Sequence, residues 1–143
     1  MVVDLEAWFR EYDWQVMQLE PSIWMGTFAT AQEEDFDLYV HQDFEWINMA
    51  VSPLAPRPHG HLGPRLALAL LRLNERTQMV RFAIDGQGDI ALYANLPAEE
   101  LHYEIFARVM DLMTATTSAF APALARMVAD DSVSPPELSG MLK

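Results

Sequence analysis

Two periods of apolar residues alternate along the chain, and the changes from one to the other mark its expected elements. Leu5, Trp8, Phe9 and Tyr12 recur at the spacing of one helical face, with Asp4 placed to cap the start, so residues 4–12 read as a short amphipathic helix. From Trp14 the period falls to two. The stretch WQVMQLEPSIWMGTFAT gives two strand-like runs broken at Glu20-Pro21-Ser22, because proline punctuates a strand and serine suits a turn. After the polar segment Gln32 to Asp35, Phe36, Leu38 and Val40 alternate with Asp37, Tyr39 and His41, and a further run through Trp46, Ile47 and Met49 follows a turn near Gln42-Asp43. Residues 15–51 therefore read as an antiparallel meander with one wet face.

The segment SPLAPRPHGHLGP, residues 52–64, holds four of the nine prolines and reads as a loop. Pro64 suits the first turn of the helix that follows, expected over 64–77, where Leu66, Leu70 and Leu73 share a face. Two more alternating runs, Val80 to Ile84 and Ile90 to Ala94, surround Asp85-Gly86-Gln87-Gly88-Asp89. A long helix is expected over 98–120, with acids in its first turn to suit the helix dipole and with Pro122 ending or kinking it. A short apolar stretch, Leu124 to Val128, follows. The order α-β-β-β-β-α-β-β-α is that of an α+β domain with helices packed on an antiparallel sheet. One domain over 1–129 is expected, with a mobile tail over 130–143, where DDSVSPPELSGMLK is rich in proline and serine.

Composition narrows the function. The chain is 143 residues long, about half apolar, and has no cysteine, which excludes disulfides, thiolate metal sites and a cysteine nucleophile and agrees with a cytoplasmic setting. Its N-terminus places acids where a signal peptide would carry positive charge, and no apolar run approaches membrane-spanning length. The formal net charge is −12, and the first fifty residues hold one base, Arg10, against eleven acids. Such a field repels phosphate backbones and anionic lipids, so neither nucleic acid nor membrane is an expected partner, whereas a basic protein segment is allowed.

Local chemistry is sparse. Asp85 and Asp89 imitate the first and fifth places of an EF-hand loop, but the sixth place is Ile90 instead of glycine and the twelfth is Leu96 instead of glutamate. A hairpin turn accounts for the same residues. His59 and His61 could point the same way from the proline-rich loop and give a metal or small-molecule sensor a foothold, although two histidines fall short of a zinc shell. His41 and His102 stand alone. The cluster Glu33-Glu34-Asp35 reads as a solvated loop, and no serine lies in a nucleophile elbow. No catalytic residue and no cofactor is expected.

Residues 70–97, LLRLNERTQMVRFAIDGQGDIALYANLP, resemble the YbjN family of bacterial sensory-transduction regulators, in which a helix ending in Leu-Asn leads to a strand with Phe, an Asp…Gly-Asp hairpin, a β-branched strand and Leu-Pro. The matching positions are Leu70, Leu71, Leu73, Asn74, Phe82, Asp85, Gly88, Asp89, Leu92, Leu96 and Pro97, and Trp8 and Trp14 extend the likeness forward. Members of that family look like the small acidic chaperones of type III secretion. The resemblance implies a similar fold, homodimers, and binding of extended client segments without catalysis. No binding residue can be carried over from it. From the pattern of the residues, Trp24, Phe28, Tyr39 and Trp46 are the expected partner-binding patch on the sheet. Tyr103, Phe106 and Met110, which widen the apolar band of the last helix, are the expected dimer contact.

Overall fold

The computed structural model describes residues 3–57 and 62–129. Asp4 caps α1 (Leu5–Glu11), its Oδ1 accepting from the Ala7 N–H at 3.1 Å. The chain then runs through β1 (Met17–Glu20), β2 (Ile23–Ala29), β3 (Asp35–Gln42) and β4 (Trp46–Val51), crosses by α2 (Leu62–Asn74), and returns through β5 (Arg81–Ile84) and β6 (Ile90–Pro97) to α3 (Tyr103–Ala129). The six strands form one sheet in the order β1-β2-β3-β4-β6-β5, every neighbouring pair antiparallel. The α+β class and the order of elements match the expectation from sequence, and the meander is β1 to β4.

Alternation divides the sheet into two faces. In register, Trp24, Val40, Met49 and Ala94 make one cross-strand row, and Gly26, Leu38, Val51, Leu92 and Phe82 the next. All of these are buried, with Leu38, Val40, Val51 and Leu92 fully so. α3 lies over this inner face, and Phe120 meets Phe82 edge-on with ring centres 5.7 Å apart.

Two features depart from the predicted boundaries. α3 begins at Tyr103, five residues later than the acids suggest. Residues 98–102 instead make a turn, with Glu100 at φ 62° and the Leu101 N–H reaching the Ala98 carbonyl at 3.4 Å. At its other end α3 continues through Pro122 to Ala129. Proline inside a helix costs about 3 kcal/mol, but Ala121, Ala123, Leu124 and Met127 are all buried, and that apolar stripe offsets the lost backbone bond.

Asn74 and Asp85, two positions of the YbjN-like pattern, have plain structural uses. Asn74 ends α2 and pins it to β5: its Nδ2 donates to the Phe82 carbonyl at 2.9 Å, and its Oδ1 accepts from the Phe82 N–H at 2.6 Å. The knot at residues 85–89 is a turn. Asp85 Oδ1 accepts from the N–H groups of Gln87 and Asp89, Gly88 sits at φ 89°, and the Ser52 hydroxyl donates to Asp85 Oδ2. These bonds, led by that of the Asp89 N–H, hold the Asp85 carboxyl below the usual carboxylate range. Arg57, from the proline-rich connection, pairs with Asp89 at 2.9 Å, and Leu54 and Ala55 of the same connection are buried.

Candidate functional site

Two surfaces of the sheet are left open by the helices. The first is the β1 edge. β1 pairs only with β2, and all four of its residues are exposed, Met17 and Leu19 among them. Beside it, between the end of α1 and the start of β1, lies a cleft of about 600 Å³. Its apolar walls are Phe9, Trp14, Val16 and Trp24, and Arg10 and Asp13 stand at the rim.

The cleft owes its shape to glycine. Trp14 packs against Gly26 of β2, so closely that a Cβ on that residue would fall 2.3 Å from the indole ring. Phe9 meets Trp14 and Trp24 edge-on, with ring centres at 5.5 and 5.7 Å. Trp24 Nε1 is buried and has no hydrogen-bond partner among the described residues.

The second open surface is the outer face of the sheet. Met25, Tyr39, Ala50, Tyr93 and Arg81 form one cross-strand row, and Ile23, His41, Asn48 and Asn95 the next. The amides are linked: Asn95 Nδ2 donates to Asn48 Oδ1 at 2.6 Å, and Asn48 Nδ2 donates to Asp43 Oδ2 at 3.3 Å. Arg81 lies over Tyr93, its guanidinium carbon 5.5 Å from the ring centre. Burial raises the Tyr93 hydroxyl above its ordinary pKa, with Asp85 adding to the rise and Arg81 opposing it. A hollow of about 220 Å³ lies among these side chains.

The four residues expected to make one partner patch are divided by the pleat. Tyr39 and Trp46 stand on the outer face, Trp46 being 41% exposed. Trp24 is on the inner face as a wall of the cleft, and Phe28 is half-buried there, stacked on Phe36 with centres 6.1 Å apart.

The expected dimer contact requires a correction. Phe106 and Met110 are buried within the chain, and Tyr103 is partly covered. The extra width of the α3 stripe is used by α1, whose Trp8, Phe9 and Tyr12 all pack on Phe106. The Tyr12 hydroxyl also donates to Asp111, and burial followed by this bond raises the Tyr12 pKa well above its ordinary value.

His59 and His61 lie outside the described residues. Among the described residues no group of three or more His, Asp or Glu is placed to hold a metal, and no helix is long and apolar enough to cross a membrane. Glu33, Glu34 and Asp35 are exposed, as a solvated loop requires. Sequence reading passed over the close approach of Trp14 to Gly26, for which the glycine inside a strand was the available signal. Phe44, just after the expected turn at Gln42-Asp43, stands at the tip of the β3–β4 hairpin.

This architecture defines a type III secretion chaperone-like fold. The chain superposes on a chain of the heterodimeric ExoU-SpcU complex from the type III secretion system of Pseudomonas aeruginosa with a TM-score of 0.58 and 19% identity, covering 83% of this chain and 96% of that one. A chain of the HopA1-SchA chaperone-effector complex matches with a TM-score of 0.57 and 15% identity, covering 84% and 98% respectively. No family model and no curated protein sequence matches the chain.

Proposed function

We propose that this chain is a non-enzymatic, cytoplasmic protein-binding module, a chaperone-like or regulatory adaptor akin to the YbjN proteins, acting as a homodimer. It receives an extended segment of a partner at the β1 edge. The observation that carries this reading is the juxtaposition of an edge strand exposed along its whole length with an apolar-walled cleft of about 600 Å³. An open edge offers unpaired backbone groups to an added strand, and the cleft takes its side chains. β1 is short, its register against β2 shifts between Gln18 and Glu20, and Pro21 follows it, so the edge available to an added strand is the Met17–Leu19 stretch, which holds no lysine or proline. The fold supports the same reading, since both structural neighbours come from complexes of two different proteins, one of them named as chaperone and effector. The charge of −12 favours a partner segment carrying lysine or arginine, with Glu6 and Asp13 outnumbering Arg10 around the cleft.

Native mass spectrometry of the protein isolated gently from its own cells tests this. A bound protein is expected with the unaltered chain and is expected to be lost from a Leu19→Lys variant, which charges the edge at a side chain that is 45% exposed and therefore leaves the fold intact. Retention of the partner by that variant would remove the edge from the account.

A further inference from the structure

Phe44 is 98% exposed, the most exposed large apolar side chain among the described residues. It stands at the tip of the β3–β4 hairpin, between Asp43 and Glu45. The tip is ordered. Asp43 Oδ1 accepts from the N–H groups of Glu45 at 2.9 Å and Trp46 at 2.7 Å, and the Asp43 N–H donates to the Trp46 carbonyl at 3.0 Å. Those bonds, the Glu45 N–H first, hold the Asp43 carboxyl below its usual range. A ring held out in water by a well-bonded turn contributes nothing to the chain's own core, and its rigidity lowers the entropy lost when something covers it.

A receptor for such a ring lies on the outer sheet face. Tyr39 and Tyr93 flank Ala50 in one cross-strand row. Strands about 4.8 Å apart put the two tyrosine backbones about 10 Å apart. One planar group needs about 3.5 Å of clearance on each side, so a single ring fits between them above the small Ala50 floor. Arg81 stands at the Tyr93 end of the row and makes no salt bridge with a carboxylate among the described residues. Peg and slot therefore carry opposite charge: Glu45 follows Phe44 at the tip, and Arg81 ends the slot.

We propose that the outer sheet face is a self-docking surface, with Phe44 of one copy seated between Tyr39 and Tyr93 of a second copy and Glu45 set against its Arg81. Ala50 lies four residues into β4 from Trp46 and Phe44 lies two residues before that strand, so peg and slot are at most about 20 Å apart at 3.3 Å per residue. A two-fold axis midway, beside Trp46 and Asn48, lets each copy fill the other's slot at once, as an isologous contact requires. Trp46, 41% exposed in the single chain, is covered near that axis. Two copies of an acidic chain repel one another, so the lone cation at the slot sets the register of docking. The inference rests on the homodimer of the proposed function, but it uses neither the β1 edge nor the cleft.

Sedimentation equilibrium of the full chain tests it. Phe44→Ala is expected to weaken self-association about tenfold or more, with no change in the unfolding midpoint at dilutions where both chains are monomeric, because the ring is 98% exposed in the single chain. Glu45→Arg and Arg81→Glu are each expected to weaken it, and the double variant to recover part of the loss by rebuilding the pair in the opposite sense. A dimer indifferent to Phe44→Ala but broken by Leu71→Glu, on the exposed face of α2, would overturn the surface and leave the homodimer standing. A chain that stays monomeric at high micromolar concentration would overturn both.

Discussion

A Phe106→Ala variant is expected to lose about 3–5 kcal/mol of stability, the usual cost of emptying a large aromatic site in a core. Phe106 is fully buried, and the rings of Trp8, Phe9, Tyr12 and Tyr103 all lie within 6.4 Å of its own. It is the point at which α1 is fastened to α3. Removing it leaves a cavity among stiff aromatic side chains that cannot collapse to fill it, so the loss belongs at the upper part of that range. For a domain of this size the melting temperature would fall by about 10–15 °C, read by circular dichroism. A Phe44→Ala variant measured alongside, at a dilution where the chain is monomeric, provides the contrast, since it removes a ring of the same size that is 98% exposed in the single chain. Were Phe106→Ala to leave the melting point unchanged and instead abolish a dimer, α1 would not be the partner of this helix.

Gly26→Val is expected to cost about 3 kcal/mol or more, at the top of the range for overpacking. The added Cβ alone would meet the Trp14 ring at 2.3 Å, and Trp14 is also held by Phe9. The indole must leave, and with it goes one wall of the cleft beside β1. Urea unfolding would show the loss. The cause is separable by a cycle: in a Trp14→Ala background the same valine has space, so its cost should drop by at least about 1 kcal/mol, the coupling expected of side chains in direct contact. Equal costs in the two backgrounds would mean that the glycine matters for the strand backbone and not for Trp14. The same variant would weaken partner binding at the edge, because the cleft that takes the partner's side chains is reshaped.

How much of this was legible in the sequence varies with the range of the interactions. The alternation of Phe36, Leu38 and Val40 with Asp37, Tyr39 and His41 predicts a strand with two faces, and in β3 Leu38 and Val40 are the buried residues. The Asp-Gly-Gln-Gly-Asp turn was readable because its bonds are local, Asp85 reaching only to residues 87 and 89 within the turn. The course of α3 was not readable to its end. Pro122 is a strong local stop, and the burial of Leu124 and Met127 that overrides it depends on a core formed by distant strands. The same limit governed the candidate sites. Phe106 and Met110 showed as an apolar excess on one helix, but that the excess belongs to α1, about a hundred residues earlier, is a tertiary fact. Trp24 and Phe28 share strand parity with each other and not with Tyr39, and only the register of β2 against β3 reveals that the four residues serve two faces.

Within the proposed account the two open surfaces divide the work. The outer face, with its aromatic row and Arg81, serves the second copy, and the β1 edge with its cleft serves the partner. That division predicts where backbone protection should arise when the partner binds, since a strand added at an edge bonds the amides it covers. Hydrogen exchange of the isolated complex against the free protein measures it directly. Slowed exchange along residues 17–20, with little change over β5 and β6, is the result the account predicts. Unchanged exchange at β1, with protection confined to other elements, would contradict it.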